Sequence, residues 1–166
     1  MTNKIIIDGW NVCWKIPQIA QLIPDQLETA RNNLNNLVKN YYQLKKVQYK
    51  IIYDGQPGMV QNEFIHKHGE IRFSKNPQKA DHLIINFLKK QKNASNWTVV
   101  TSDSELSFKA RNLNASVMSS ETFNNKIVQK GKIDREVSVK QNPNLSQNEI
   151  DLWLNLFNKD NENKKD

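Results

Sequence analysis

The sequence predicts an α/β domain with a mostly parallel central sheet. Short apolar runs of strand length alternate with amphipathic runs of helix length, which is typical of a parallel sheet covered by helices. The 166 residues are the size of one ordinary domain and can bury one core, and no Gly/Ser-rich or Pro-rich linker divides them.

The elements of the first half surround one long helix. The first strand is expected over residues 4–7 and the second over residues 49–53. Between them, apolar residues from Leu27 to Tyr41 recur at the spacing of one buried stripe, which predicts a helix over residues 24–44. A proline and an aspartate at its start suit a first helical turn.

The second half continues the alternation. Ser102 and Glu105 have the spacing of a capping box, which indicates a helix start between them. The expected elements, in chain order, are a strand over 70–73, a helix over 79–92, a strand over 97–101, a helix over 104–113, a strand over 115–118 and a helix over 121–129.

The C-terminal residues differ in character from the rest. Residues 1–130 are expected to form the main domain, and residues 131–157 an extended polar arm followed by a docking helix. Ser146 and Glu149 have capping-box spacing at the start of that helix. Residues 158–166 lack apolar residues that could pack and are expected to be a disordered tail.

The composition favours a polyanionic partner. The formal net charge is +7, and Lys and Arg attract phosphates at long range, although a coding bias toward Lys, Asn and Ile is a strong alternative explanation. No apolar run approaches the ~20 residues of a membrane span or the stretch of a signal peptide. The single cysteine, Cys13, cannot form an internal disulfide. We therefore expect a cytoplasmic protein with no membrane partner.

Three of the expected strands end in an aspartate. Asp8, Asp54 and Asp103 each follow an apolar run. Because the carboxyl ends of parallel strands lie on one edge of the sheet, where ligands bind, these carboxylates are expected to converge. Asp81, near the start of a helix, can face the same edge. One such aspartate alone is more often a turn former or a helix cap, and only the set of three favours a site.

Carboxylates gathered in this way repel one another unless a proton or a cation intervenes. Mg²⁺ or Mn²⁺ prefers oxygen ligands and would resolve the conflict. Such an ion can activate water and hold a phosphate, and two ions ~3.5–4 Å apart would stabilise both the attacking and the leaving oxygen. That chemistry is phosphodiester hydrolysis.

Small residues beside the aspartates fit this interpretation. Gly9 and Gly55 each follow a strand-end aspartate, where glycine either leaves room for a phosphate or only turns the chain. The Asn11 amide can hold Asp8 or a water molecule, or it can make a local turn bond.

Several short motifs resemble the YacP-like branch of NYN domains, which are PIN-like nucleases. Asp8-Gly9-Trp10-Asn11 is similar to the Asp-Gly-Tyr-Asn start of these domains. Further similar motifs follow in the family's order over residues 4–125: Ala30-Arg31 with Leu34, Ile52-Tyr53-Asp54-Gly55, Lys79-Ala80-Asp81, Val99-Val100-Thr101-Ser102-Asp103 and the strand over 115–119.

The resemblance implies a three-layer PIN-like α/β fold, a Mg²⁺ or Mn²⁺ site and endoribonuclease activity. Relatives act on RNA, some of them on messenger RNA at the ribosome, so RNA and the ribosome are the expected partners. The protein itself is expected to be a monomer or a weak dimer. Asn11 would support the site. Carried over by position, the metal ligands and catalytic acids are Asp8, Asp54, Asp81 and Asp103.

The helix that carries Asp81 departs from the family pattern. Relatives often have further acids there, where this chain has His82, Ile85 and Asn86. This difference favours one tightly held metal or weak activity. The expected RNA-binding residues are Arg31, which the resemblance places within reach of the site or a phosphate, and Arg72, Lys75 and Lys79, which flank Asp81 in sequence.

Other features leave alternatives open. His66-Lys67-His68 is either the acid–base pair of a metal-free ribonuclease or, more simply, a basic exposed loop. Trp10 and Trp14 can stack on bases, although Trp14 suits a core equally well. A non-catalytic RNA- or ribosome-binding protein is the alternative to an enzyme. A phosphatase or nucleotide-binding protein is disfavoured, because the sequence has no Walker-type loop and no second aspartate two residues after the first.

Overall fold

The fold of this chain is known from a computed structural model. It describes residues 4–42, 45, 47–55, 62–66, 68–75 and 77–129, with the backbone alone for residues 62–66. One compact unit ends at Ile127 and a second begins at Val128. The expected arm, docking helix and tail, over residues 131–157 and 158–166, lie outside the described residues.

The centre of the first unit is a six-stranded sheet. Its strands are β1 (Lys4–Asp8), β2 (Gln48–Tyr53), β3 (Asn62–His66), β4 (Gly69–Phe73), β5 (Trp97–Val100) and β6 (Ser116–Met118). They lie in the order β3-β4-β2-β1-β5-β6. The five strands from β4 to β6 in that order are parallel, and β3 pairs antiparallel with β4 at the edge. The predicted α/β fold with a mostly parallel sheet is confirmed.

The edge strand β3 is absent from the sequence-based prediction, which treats His66 as part of a loop. In the structure His66 ends β3 and pairs with Gly69 of β4. The loop interpretation is therefore wrong for His66. An edge strand forms because its neighbour offers a row of unpaired backbone groups, so tertiary pairing decides it and local periodicity does not.

Helices cover both faces of the sheet and give three layers. On one face lie α1 (Gly9–Trp14), α2 (Pro17–Ala20) and α3 (Leu27–Tyr42). The helix α6, over residues 120–129, joins this layer, since the rings of Phe123 and Tyr41 of α3 are 6.5 Å apart. On the other face lie α4 (Ala80–Lys89) and α5 (Ser104–Asn112), which contact each other.

Alternate residues of β2 show which helices cover each face. The Tyr49 ring stacks on Tyr42 of α3 at 5.4 Å, and the Tyr53 hydroxyl donates to Asn35 of α3 at 2.7 Å. Ile52, which points to the opposite face from these two tyrosines, belongs to a buried cluster with residues of α4 and α5. Because successive strand residues face opposite sides, both faces of the sheet are buried.

Helix boundaries differ from the prediction in several places. The short helices α1 and α2 form where no element is predicted. The long helix α3 begins at Leu27, because Pro24 and Asp25 lie in a turn closed by the Gln26 N–H to the Leu22 carbonyl at 2.7 Å. The next predicted long helix, α4, also ends early, at Lys89.

The strand order creates a topological switch point between β1 and β5. From β1 the chain passes through α1, α2 and α3 to β2 on one side. From β5 it passes through α5, on the opposite face, to β6 on the other side. Ligands of open α/β sheets bind in the crevice beyond such a point. Asp8 ends β1 there, and residues 101–103 follow β5.

Candidate active site

Asp8 ends β1, and two hydrogen bonds hold its carboxylate. Its Oδ2 accepts a hydrogen bond from the Thr101 hydroxyl at 3.0 Å, and its carboxylate accepts another from the Asn11 backbone N–H. Burial raises the pKa of Asp8 to about 6, against these two hydrogen bonds and with help from the charges of Asp54 and Asp103. The charges of Asp54 and Asp103 therefore both reach the Asp8 carboxylate.

Asp54 connects the end of β2 to the start of α4. Its Oδ1 accepts a hydrogen bond from the Ala80 backbone N–H at 2.6 Å and a longer one from the Ser74 hydroxyl at 3.4 Å. A carboxylate suits this place, because the first N–H groups of a helix lack partners within the helix. Asp54 thereby fixes the position of Asp81, the residue after Ala80.

Asp103 has a structural task beside its predicted one. It is the N-cap of α5, and its Oδ1 accepts from the Leu106 N–H at 2.7 Å. The predicted capping box, with Ser102 as the cap, is therefore wrong by one residue. Thr101 links the neighbouring acids, because its hydroxyl oxygen accepts from the Asp103 N–H at 3.1 Å and donates to Asp8.

Asp81 lies in the first turn of α4, where its Oδ1 accepts from the His82 N–H at 2.8 Å. The charge of Asp81 acts on Lys109 of α5. The pKa of Lys109 is raised, first by its hydrogen bond to Glu105 at 2.5 Å and then by the charges of Glu105, Asp81 and Asp103. The charges of Asp81 and Asp103 therefore both act on Lys109.

The predicted acids do not form a closed metal cage in the described part of the chain. Within the described part of the chain, no three His, Cys, Asp or Glu side chains stand together in a group that could hold a metal ion. Mg²⁺ usually takes only one or two carboxylates and keeps waters or substrate phosphates as its other ligands. The donor set, which is all oxygen and mutually repelling, has the chemistry of such a hard-cation site.

Asn11 is a brace between the loops that carry the acids. Its side-chain oxygen accepts from the Ser102 N–H at 2.8 Å and from the Ser120 hydroxyl at 2.7 Å. These two bonds use both acceptor positions of an amide oxygen. With its own backbone N–H on Asp8, Asn11 ties the end of β1 to the loop after β5 and to the start of α6.

Glu121 extends this network and was missed by sequence reasoning. It accepts a short hydrogen bond from the Ser102 hydroxyl and pairs with Lys15 at 2.9 Å. The bond from Ser102 and then Lys15 lower the pKa of Glu121 to about 2. The sequence does contain a pattern that indicates this residue. Glu121 comes soon after the end of β6, as Asp8, Asp54 and Asp103 come at or soon after the ends of their strands.

The two glycines beside the aspartates do not leave room for a phosphate. A Cβ on Gly9 would lie 2.3 Å from the Tyr53 ring, and one on Gly55 would lie 2.0 Å from the Ser74 carbonyl oxygen. The protein itself occupies both spaces. The glycines allow β1, β2 and β4 to end in close contact, which corrects the phosphate interpretation.

Arg31 is a buried cation on the α3 face. Its side chain is 11 % exposed, its guanidinium carbon lies 5.1 Å from the centre of the Phe73 ring, and Glu28 is 3.9 Å away. Its Nε is buried without a hydrogen-bond partner. Phe73 is the last residue of β4, so Arg31 lies beside the same edge of the sheet as Asp54. Lys75 and Lys79 are exposed on the segment that leads from β4 to α4.

Arg72 already has a partner. Its Nε is 2.5 Å from Glu70, which also pairs closely with Lys50. Although burial alone would raise it, the pKa of Glu70 is lowered by hydrogen bonds from Arg72 and Lys50. Contact of Arg72 with RNA stays a prediction, and it would compete with this ion pair.

The fold and the site together define a PIN-like, nuclease-type α/β domain: three layers, with carboxylates at the switch point of a parallel sheet. The family model for the YacP-like NYN domain matches residues 5–161. The chain therefore belongs to the YacP-like NYN domain family. This result confirms the resemblance found in the sequence.

Two crystal structures of Rae1 (YacP) from Bacillus subtilis resemble this fold. One, of a point mutant, has a TM-score of 0.71 and 18% identity, and the match covers 94% of this chain and 92% of that one. The other has a TM-score of 0.69 and 19% identity, with 98% and 96% covered. No curated protein matches the chain. In the described ranges, no helix is long and apolar enough to cross a membrane.

Proposed function

We propose that this protein is a metal-dependent endoribonuclease that hydrolyses phosphodiester bonds in RNA with Mg²⁺ or Mn²⁺. The observation that carries the proposal is the place of Asp8 at the switch point, where burial first and then the charges of Asp54 and Asp103 raise its pKa to about 6. A divalent cation would remove that electrostatic cost.

In this proposal the four aspartates hold the ion, and when bound it supplies an activated water and neutralises charge on the phosphate. The chain's own residues orient these ligands. Thr101 holds Asp8 beside Asp103, and Asn11 fixes the loop that carries Asp103. Asp54 holds the start of α4, whose first turn carries Asp81.

The site favours one ion over two. Helix α4 has Ile85 and Asn86 where a second metal would need further acids. Lys109 already places a positive charge near Asp81 and Asp103. A second cation would be repelled there and would lack carboxylate ligands.

RNA is the proposed substrate because cations flank the acidic edge. Lys75 and Lys79 are exposed on the segment before α4, and Arg31 has a buried Nε without a partner. The net charge of +7 would add long-range attraction for a polyanion. In this proposal the reaction takes place in the cytoplasm, and the substrate is messenger RNA, including messenger RNA bound to the ribosome.

The test is cleavage of a single-stranded RNA oligonucleotide by the full chain with Mn²⁺ or Mg²⁺. We expect EDTA, Asp8→Asn and Asp103→Asn each to lower the rate at least ~100-fold, since each removes charge that the ion requires. Asp25→Asn is the matched control, because Asp25 is exposed in the turn before α3. Unchanged cleavage in both site variants would refute the proposal.

A non-catalytic RNA- or ribosome-binding protein is the second candidate. The observation that favours it is that no group of three His, Cys, Asp or Glu side chains in the described residues could hold a metal ion. It predicts RNA binding that weakens with salt and no turnover with any metal. Turnover that depends on Asp8 would exclude it.

A further inference from the structure

Helix α1 carries an exposed tryptophan close to the candidate active site. The side chain of Trp14 is 56 % exposed, so the core interpretation of this residue is wrong. Among the described residues, the other large hydrophobic side chain in solvent is Phe108, at 65 %. Single exposed hydrophobic residues are common, so the position of Trp14 must decide what it does.

Helix geometry places Trp14 between two acidic loops. With 3.6 residues per turn and Gly9 at 0°, the angles of Trp10, Trp14 and Asn11 around the axis are about 100°, 140° and 200°. Trp10 Nε1 donates to the Asp54 carbonyl oxygen at 3.4 Å, and Asn11 accepts from the N–H of the residue before Asp103 at 2.8 Å. The buried residues of α1 lie on the opposite side of the helix.

The distance from the acids suits a neighbouring nucleotide. Helix α1 begins directly after Asp8, and Trp14 lies five residues beyond Gly9, which is about 7.5 Å along the axis. That separation is comparable to the size of one nucleotide. A strand whose phosphate lies at the aspartates would pass over the outward face of α1.

We propose that Trp14 is a stacking platform for a nucleobase of single-stranded RNA, next to the phosphate that is cleaved. This inference rests on the proposed function, because it takes RNA as the ligand. Aromatic rings stack on any base, whereas the bases of a duplex are already stacked and paired. Trp14 would therefore favour single strands without imposing a sequence.

In the described part of the chain, the surroundings of Trp14 favour RNA over a protein partner. A protein interface centred on Trp14 would need a contiguous apolar patch of several hundred Å². The nearest residue on the outward face is Trp10, which is only partly exposed because its ring packs on Tyr53 with the ring centres 4.9 Å apart. The next are Asn11, already bonded to Ser102, and Lys15, paired with Glu121 at 2.9 Å. Phe108 lies on α5, on the opposite face of the sheet, and cannot extend a patch around Trp14.

The test measures binding apart from cleavage. A fluorescein-labelled oligouridylate of about 12 nucleotides is titrated with the full chain in EDTA, so that no metal-dependent hydrolysis interferes. We expect Trp14→Ala to weaken binding about 5- to 100-fold, as for loss of one stacked base, and Trp14→Phe to retain most of the affinity. The salt dependence should stay the same, because no phosphate contact is removed. Phe108→Ala is the matched control, with affinity unchanged.

A second oligonucleotide of the same length has abasic sites in place of its bases. Measuring wild type and Trp14→Ala on both oligonucleotides gives a double-mutant cycle between the ring and the base. The wild type should bind the abasic oligonucleotide more weakly, and Trp14→Ala should cause no further loss, because both changes remove the same contact. Equal losses on both oligonucleotides would overturn the proposal, as would unchanged binding by Trp14→Ala or an equal effect of Phe108→Ala. Urea unfolding confirms that each variant is folded.

The outcomes separate this inference from the proposed hydrolysis. If the wild type cleaves RNA with Mn²⁺ but Trp14→Ala binds the oligouridylate normally, the stacking platform is refuted and the nuclease stands. If binding depends on Trp14 but no metal supports cleavage, the hydrolysis is refuted and the platform stands.

Discussion

The buried carboxylate of Asp8 makes the stability of the metal-free protein depend on pH. Its pKa is about 6 in the fold, because of burial first and then the charges of Asp54 and Asp103, against an ordinary value of 3.8. The folded state therefore binds this proton more tightly than the unfolded chain does. Stability from this group falls as the pH rises from about 4 to about 6, and the loss is complete above pH 6.

The size of the effect follows from the two pKa values. A shift of about 2 units corresponds to about 3 kcal/mol, at 1.36 kcal/mol per unit. Asp8→Asn removes the titration and keeps an oxygen that can accept from Thr101. In EDTA, we expect the stability of Asp8→Asn relative to wild type to rise by about 2–3 kcal/mol between pH 4 and pH 7.5.

Urea unfolding of both proteins at a series of pH values measures this difference. A second variant, Thr101→Val, should lose stability over a pH range that extends higher than in the wild type. The reason is that the Thr101 hydroxyl bond lowers the pKa of Asp8. Millimolar Mg²⁺ should restore stability to the wild type at pH 7.5 and do little for Asp8→Asn. A difference between wild type and Asp8→Asn that does not change with pH would refute the electrostatic reasoning.

Two further predictions concern the framework that holds the acids. Gly55→Ala should destabilise the fold by about 1–3 kcal/mol in urea unfolding, because its Cβ would lie 2.0 Å from a backbone oxygen of Ser74 that cannot easily move; wild-type stability would contradict that close approach. Asn11→Ala should cost about 2–4 kcal/mol, because it leaves the Ser102 N–H and the Ser120 hydroxyl without their acceptor. Asn11→Asp should recover part of this loss, and equal stability of the two variants would contradict the bracing role.

The network around Asn11 explains how separate loops can form one site. The acids come from the ends of β1, β2 and β5 and from α4, which are far apart in sequence. Thr101 joins Asp8 to Asp103, and Asp54 joins β2 to α4. Carboxylates that repel one another can be held near each other because each also accepts hydrogen bonds from the framework.

Much of the fold could be predicted from local patterns. Strands β1, β2 and β5 are apolar runs that end in polar residues, and α3 carries a stripe of apolar residues. These elements have strong signals because the sheet is buried on both faces and the helices on one. The edge strand β3 and the short helices α1 and α2 have no such signal, since pairing and packing with distant residues create them.

The sequence by itself determined which residues could form the site: aspartates at strand ends, in the order and spacing of a YacP-like NYN domain. Only the tertiary structure decided what surrounds them. In the structure, Asn11 holds the loop after β5 by a hydrogen bond from the Ser102 N–H. Tyr53 and Ser74 occupy the spaces beside Gly9 and Gly55, and Trp14 is exposed to solvent. The physical reason is that residue type and local spacing fix chemical capacity, whereas burial, hydrogen-bond partners and neighbouring charges depend on residues that are distant in the chain.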